Sequence, residues 1–287
     1  MKILSSGVTA IVLAAGSGFG PLHAAELQPA ASAAWEAYVA RADRQMLARV
    51  TSTGPFLWID EAPDRSQRVQ EGLILVAPGM GSGTRAVPSG LVHHWLAAAF
   101  IPRANLTDVL RIAHDYANYK RFYVPGVIES RLLPGEEPSF SMRTLHRVLF
   151  ITAVLDSQFA TRDFQVAPTR WYIVADSTRV QEVENYGRPD EHILPPDRGR
   201  GFIWRLHTIT RYEERDRGVY VEMEAIALSR DIPAAVRWLI NPAVARFSQD
   251  ELITSLRQTR DAVITAVKAR QSLTWAAAEV TVGAEGR

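Results

Sequence analysis

The chain has 287 residues, 47% of them hydrophobic and 22% charged, with a formal net charge of +1 at pH 7. That length can bury a sizeable core, the balance is ordinary for a globular protein, and the near-zero charge supplies no field for a nucleic-acid backbone. With no cysteine in the sequence, disulfides, thiolate metal sites, a cysteine nucleophile and a lipidated-cysteine anchor are all excluded.

Residues 1–25 read as a secretory leader. Lys2 gives the positive start, residues 8–15 form a short apolar run, and Pro21 precedes the small-residue site His23-Ala24-Ala25. The run is too short for a bilayer core of about 30 Å. Cleavage near Ala24 or Ala25 and a secreted or periplasmic location are therefore expected. No later segment reaches the roughly 18 apolar residues of a membrane helix, so the mature chain is expected to carry no integral membrane segment.

Residues 31–50 have Trp35, Val39, Met46 and Val50 on one side and predict an amphipathic helix. Residues 65–76 look like a strand ending in the turn Pro78-Gly79-Met80-Gly81-Ser82-Gly83, with residues 84–101 returning as the second arm of a long hairpin. Asn105, with Asp108 three residues on, predicts the cap of a helix whose stripe is Leu106, Val109, Leu110, Ala113 and Ala117 and which Pro125-Gly126 stops. From Val127 the pattern turns to period two. Segments near 127–133, 139–145, 149–163, 169–183, 202–213 and 219–229 are rich in β-branched and aromatic residues, and with no helix between them they predict an antiparallel sheet. Residues 233–240 begin a helical region that Asn241-Pro242 is expected to kink or break. The final helix, 249–270, carries the stripe Leu252, Leu256, Thr259, Val263 and Val267, and the rest of the chain from 272 reads as a loose tail.

Alternation assigns faces in two neighbouring strands. Phe202, Trp204, Leu206, Thr208, Thr210 and Tyr212 share one side, as do Val219, Val221, Met223, Ala225 and Ala227; Arg205, His207, Arg211, Glu222 and Glu224 point the other way. The outer arginines are placed to pair with Glu222 and Glu224. The inner faces mix large apolar groups with alanine and threonine, which suits either a ligand pocket or a loosely patterned core.

Motifs for other chemistry are weak. The glycine-rich turn lacks the following helix and the lysine of a phosphate loop, and His93-His94 on a strand point to opposite faces and cannot share one metal ion. No metal site, no cofactor and no catalytic set is therefore singled out.

Strand, capped helix, Asp115-Tyr116-Ala117-Asn118-Tyr119, then Phe122-Tyr123-Val124-Pro125-Gly126-Val127, an antiparallel meander and a long C-terminal helix form an order that resembles the START-like (SRPBCC) superfamily. The resemblance covers about residues 72–267. It implies an α+β helix-grip fold, a curved antiparallel sheet wrapped around the C-terminal helix, here with an extra N-terminal helix. The expected division is a leader at 1–25, an N-terminal helical extension at 26–64, a START-like domain at 65–271 and a flexible tail at 272–287. It also implies a cavity lined by Tyr116, Tyr123, Trp204, Leu206, Thr208, Thr210, Val221, Met223, Ala225, Leu252, Leu256, Thr259 and Val263. The expected partner is a hydrophobic small molecule or lipid, with transient membrane contact and no nucleic acid. Two alternatives stand beside this carrier: a cyclase- or hydrolase-type enzyme using Tyr116, Asp176 or His207 as acid or base, and an envelope interaction protein whose cavity is filled by its own side chains. The loop around 187–201 is long enough for a lid.

Overall fold

The structure, a computed structural model, describes residues 25–135, 137–148, 151–231 and 234–284. The expected leader at 1–24 lies outside the described residues. In chain order the elements are β1 (Ala25–Glu26), α1 (Pro29–Thr51), a 3-10 turn (Trp58–Glu61), α2 (Pro63–Gln70), β2 (Leu75–Pro78), β3 (Thr84–Val87), β4 (Gly90–Pro102) and α3 (Leu106–Ala113). A second 3-10 turn (Tyr116–Asn118) and α4 (Tyr119–Phe122) lead into β5 (Val127–Leu133), β6 (Ser139–Val148), β7 (Ile151–Ala167) and β8 (Arg170–Glu184). Then follow β9 (His192–Ile193), β10 (Arg198–Gly199), β11 (Arg205–Arg215), β12 (Gly218–Arg230) and α5 (Ala234–Ala284). No helix among the described residues is long and apolar enough to cross a membrane.

One antiparallel sheet runs β2-β4-β12-β11-β8-β7-β6-β5, with β3 also on β4 and β9 on β8. It curves around α5, which with α3 packs against β4 and β12 through Ala97, Ala99, Ile101, Val109, Ile112, Val221, Leu256, Val263 and Val267. This is an α+β helix-grip fold. The convex face of the sheet is covered too. There α1 sets Ala31, Trp35, Tyr38 and Ala42 on Val92, Ile226 and Leu228, while Phe56, Leu57, Ile59 and Val69 pack on Ala98, Phe100, Ile209 and Tyr220. Strand β4 is therefore buried on both faces from Gly90 to Ile101, which is why its sequence is a continuous apolar run rather than an alternation.

Four expectations need correction. Residues 65–76 do not form a strand: α2 occupies Pro63–Gln70, with Pro63 at its first turn. Asp64, Arg65, Ser66, Gln67 and Arg68 give a pleated sheet too little to pack, whereas a one-sided helix needs only Val69 inward. The glycine-rich segment is not a hairpin turn either. Leu75 faces Ala98 and Thr84 faces His93, so β2 and β3 both lie along β4 and residues 79–83 bulge out opposite His94. A Cβ on Gly79 would lie 2.1 Å from the His94 ring, and one on Gly83 2.5 Å from the Trp95 ring, so both glycines allow the loop to close over these side chains. The reversal itself sits at Pro88-Ser89, where Ser89 takes a φ of 56°.

The capped helix is shorter than its stripe implies. The Asn105–Asp108 capping box is present, but α3 ends at Ala113. Asp115 turns its carboxylate to the Asn118 amide at 2.9 and 3.0 Å, and Tyr119 Oη donates to the Ala113 carbonyl at 2.5 Å, satisfying an acceptor left free at the helix end. Finally, α5 continues through Asn241-Pro242 and on to Ala284. Helix replaces the expected break, and among the described residues it also takes 272–284 of the expected tail; the lost proline N–H removes one hydrogen bond from a ladder long enough to continue past it.

The outward-facing charges of β11 and β12 are buried under the α1 layer. Arg211 stands opposite Glu222 in the ladder, donates from Nε to Glu222 at 2.7 Å and from Nη1 to Glu224 at 2.8 Å, and is 1% exposed. Glu222 also accepts from the backbone N–H groups of Trp58 and Ile59, at 3.1 and 3.3 Å. Glu224 takes the His94 Nε2 proton at 2.8 Å, since Met80 N–H donates to Nδ1 of that ring at 3.3 Å. Burial works against the Glu224 charge, yet His94 and Arg211 hold its carboxyl down at about 2. Arg205, by contrast, pairs with Asp197 at 2.6 Å rather than with a glutamate of β12.

Replacing Arg211 by methionine strands the buried Glu222 and should cost about 3–5 kcal/mol, against at most about 1 kcal/mol for Arg205→Ala; urea denaturation of the two variants checks the contrast. His207 gives a second test. Burial pulls its pKa down, but Asp176 at 2.6 Å and Asp43 at 3.4 Å outweigh that and hold it up at about 9, above the ordinary 6.5. Its stabilising effect is thus complete below pH 6.5 and lost as pH rises through about 9. Melting temperature should fall across that window, and His207→Gln should flatten the fall.

Candidate functional site

Between the concave face and α5 lies a cavity of about 520 Å³, within the range of small-molecule sites. Its floor is a row across five strands. Trp95 of β4 faces Ala225 of β12, which faces Thr208 of β11, then Ala175 of β8, then Thr161 of β7. All five residues line the space. The two alanines leave the room that Leu or Ile would fill, and the threonines keep hydroxyls in it. The next row adds Met223, Thr210 and Ile173.

One wall is aromatic. Tyr116 stacks on Phe140 at 4.5 Å with the rings 3° apart, Phe140 stacks on Phe159 at 5.0 Å, and Tyr119 meets Tyr116, Tyr123 and Phe140 edge-on. These rings come from the segment after α3 and from β6 and β7, brought together by the early end of that helix. Tyr116 Oη lies 3.2 Å from Thr161 Oγ1, and Tyr123 Oη 3.0 Å from Thr259 Oγ1 on α5. Burial raises the phenol pKa of Tyr116, Tyr119, Tyr123 and Tyr212, so all four are neutral hydroxyls at physiological pH.

The other wall is the flank of α5 that carries Phe247, Ser248, Glu251, Leu252, Ser255, Gln258 and Thr259. Exposed lining residues Val124, Pro125, Arg147, Glu251 and Thr254 mark the entrance. His93 also lines the space, with Nε2 2.8 Å from Ser229 Oγ. Its burial pushes the imidazole down to about 4.

Of the residues expected to line a cavity, Tyr116, Tyr123, Leu206, Thr208, Thr210, Val221, Met223, Ala225, Leu252 and Thr259 stand around this space. Trp204, Leu256 and Val263 do not. Trp204 precedes the first paired residue of β11, so the alternation loses its phase there: Ile203 turns to the cavity and Trp204 packs under α1 with Trp35 and Ile226. Leu256 and Val263 lie on the side of α5 that faces β4 and α3. A single apolar stripe covers both flanks of a helix and does not tell which one meets a void. Asp176 and His207 face the convex layer, where they bond each other at 2.6 Å, so neither reaches the cavity as an acid or base. The loop 187–201 contributes no lining residue; it is tied down through β9 and β10, and the Glu182 carboxylate accepts from Arg200 and Phe202 N–H at 2.8 and 2.9 Å.

Sequence reading missed the wall from β6, β7 and β8: Phe140, Met142, Ser157, Phe159, Thr161, Ile173 and Ala175. Period-two alternation was present in Ser157, Phe159, Thr161 and in Ile173, Ala175, and would have found them. The polar flank of Ser248, Ser255 and Gln258 had its own signal, small polar groups beside an apolar stripe.

No family model matches the sequence, and no curated protein matches it. Among solved structures, the chain is similar to a STAR-related lipid transfer protein from Xanthomonas axonopodis, at TM-score 0.41 and 18% identity over 66% of this chain and 98% of that one. It is also similar to the Zhui aromatase/cyclase from Streptomyces sp. R1128, at TM-score 0.40 and 12% identity over 61% of this chain and 96% of that one. Human STARD10 matches at TM-score 0.40 and 11% identity, over 78% of this chain and 86% of that one. Each of these likenesses is distant. The helix-grip assignment rests on the chain's own sheet order and on α5.

Because His93 sits neutral in the folded protein with its pKa moved from 6.5 to about 4, folding loses stability as pH falls through that interval. Acid titration followed by circular dichroism should show this loss, and His93→Gln, which keeps a donor for Ser229, should remove most of it.

Proposed function

We propose that this chain binds and carries a hydrophobic small molecule or lipid in the space between its sheet and α5. The observation that supports it is the cavity of about 520 Å³ floored by Ala175, Thr208 and Ala225 and walled by Tyr116, Phe140 and Phe159. A floor built to fill itself would place large aliphatic groups at those alanines. Each methylene removed from water into such a space contributes about 0.8 kcal/mol, so a chain of modest length binds usefully. Exchange of cargo with a bilayer belongs to the same proposal and falls to the entrance, where Val124 is 57% exposed. The leader-like residues 1–25 extend the proposal to a secreted or periplasmic carrier, on the strength of the sequence. Of the groups considered as acid or base for an enzyme, Tyr116 lines the cavity as a phenol that burial keeps neutral, while Asp176 and His207 lie on the opposite face of the sheet, which favours binding over turnover.

The test is native mass spectrometry with solvent extraction of protein prepared without detergent, together with uptake of the apolar dye Nile red. A reproducible adduct and dye uptake are expected. Ala225→Phe, which puts a ring on the floor, should lower dye affinity at least about tenfold, the effect of 1.4 kcal/mol, while circular dichroism stays unchanged. A clean apo mass with no dye uptake by the parent protein sinks the proposal.

A further inference from the structure

The aromatic wall sets the charge of the ligand it can hold, on a hydrogen-bond count that rests on the carrier reading above. Thr161 Oγ1 donates to the Pro138 carbonyl at 3.0 Å, so the 3.2 Å contact with Tyr116 spends the Tyr116 proton on Thr161. Thr259 Oγ1 donates to the Ser255 carbonyl at 2.9 Å, so Tyr123 likewise donates to Thr259. The Tyr119 proton goes to the Ala113 carbonyl. Three of four phenol protons are therefore spent inside the protein, and Tyr116 and Tyr123 retain only acceptor lone pairs. The fourth phenol, Tyr212, lines the cavity with the Thr210 hydroxyl beside it on the same strand face.

Positive charge is missing from this wall. Arg147 is the one Arg or Lys among the described lining residues, and it is exposed at the entrance. A carboxylate brought here would shed its water, meet acceptor lone pairs at two phenols and find no counter-ion. A hydroxyl fits: it brings a donor to the Tyr116 or Tyr123 oxygen and carries no charge.

We propose that the cavity selects an uncharged amphiphile whose polar end is a hydroxyl seated against Tyr116 and Tyr123, and that it rejects the carboxylate of the same skeleton. The experiment is displacement of Nile red from the detergent-free protein by hexadecan-1-ol, hexadecyl methyl ether and hexadecanoate at mildly alkaline pH. The alcohol should displace dye at roughly tenfold lower concentration than the carboxylate, and at roughly threefold to tenfold lower concentration than the ether, the range of one net hydrogen bond. In the Tyr116→Phe/Tyr123→Phe double variant the alcohol-to-ether ratio, measured within that protein, should fall towards unity. A carboxylate that competes as well as the alcohol overturns the charge selection, and an ether equal to the alcohol in the parent protein overturns the hydroxyl seat. Absence of Nile red uptake by the parent protein is a different failure, since it removes the carrier reading itself.

Discussion

The Arg211 guanidinium ties the two layers of this protein together. It leaves the convex face of β11, takes Glu222 and Glu224 of β12 at 2.7 and 2.8 Å, and sits beneath Met46 of α1. Glu222 in turn holds the backbone of Trp58 and Ile59. Each ion is out of water, so each depends on the others remaining in place. The sheet cannot keep this polar row buried unless α1 and the 54–70 segment stay on top of it.

That cover decides where a ligand can go. With one face of the sheet closed by a second core, the curved inner face is the side left with space. There the chain departs from ordinary core composition. Alanine at 175 and 225 and threonine at 161 and 208 follow one another across the strands, so small or hydroxylated side chains fall in one line under α5. A helix lying across a concave sheet touches it best at one side. Here α5 packs through Leu256, Val263 and Val267 on β4 and α3, and the opposite flank of the helix, bearing Ser248, Ser255 and Thr259, stands over the void.

The aromatic wall shows how a local event shapes the site. Tyr119 bonds the last carbonyl of α3, and the Asp115 carboxylate holds Asn118. These short-range bonds end the helix early and swing Tyr116 and Tyr123 onto β6, β7 and α5. Tyr119 thus closes the helix, and Tyr116 and Tyr123 on either side of it reach the cavity. Because their protons are spent on protein acceptors, the fold and the proposed ligand preference rest on the same hydrogen bonds.

The sequence by itself determined the six long strands, the Asn105–Asp108 cap, the long final helix and the inward faces of β11 and β12, because periodicity and capping are local properties of neighbouring residues. It also carried the Arg211–Glu222 pairing, which follows from register once two strands form a hairpin. The tertiary structure decided the rest. Trp204 and Ile203 exchange faces because regular pairing starts only at Arg205; His207 and Arg211 face outward yet are buried because residues more than 150 positions earlier in the chain fold over them. Leu256 and Thr259 share one stripe and part company because Leu256 packs on β4 and α3 whereas Thr259 stands at the cavity, bonded to Tyr123. Which alternating face is core, cover or cavity depends on what long-range contacts bring against it, and no periodicity encodes that.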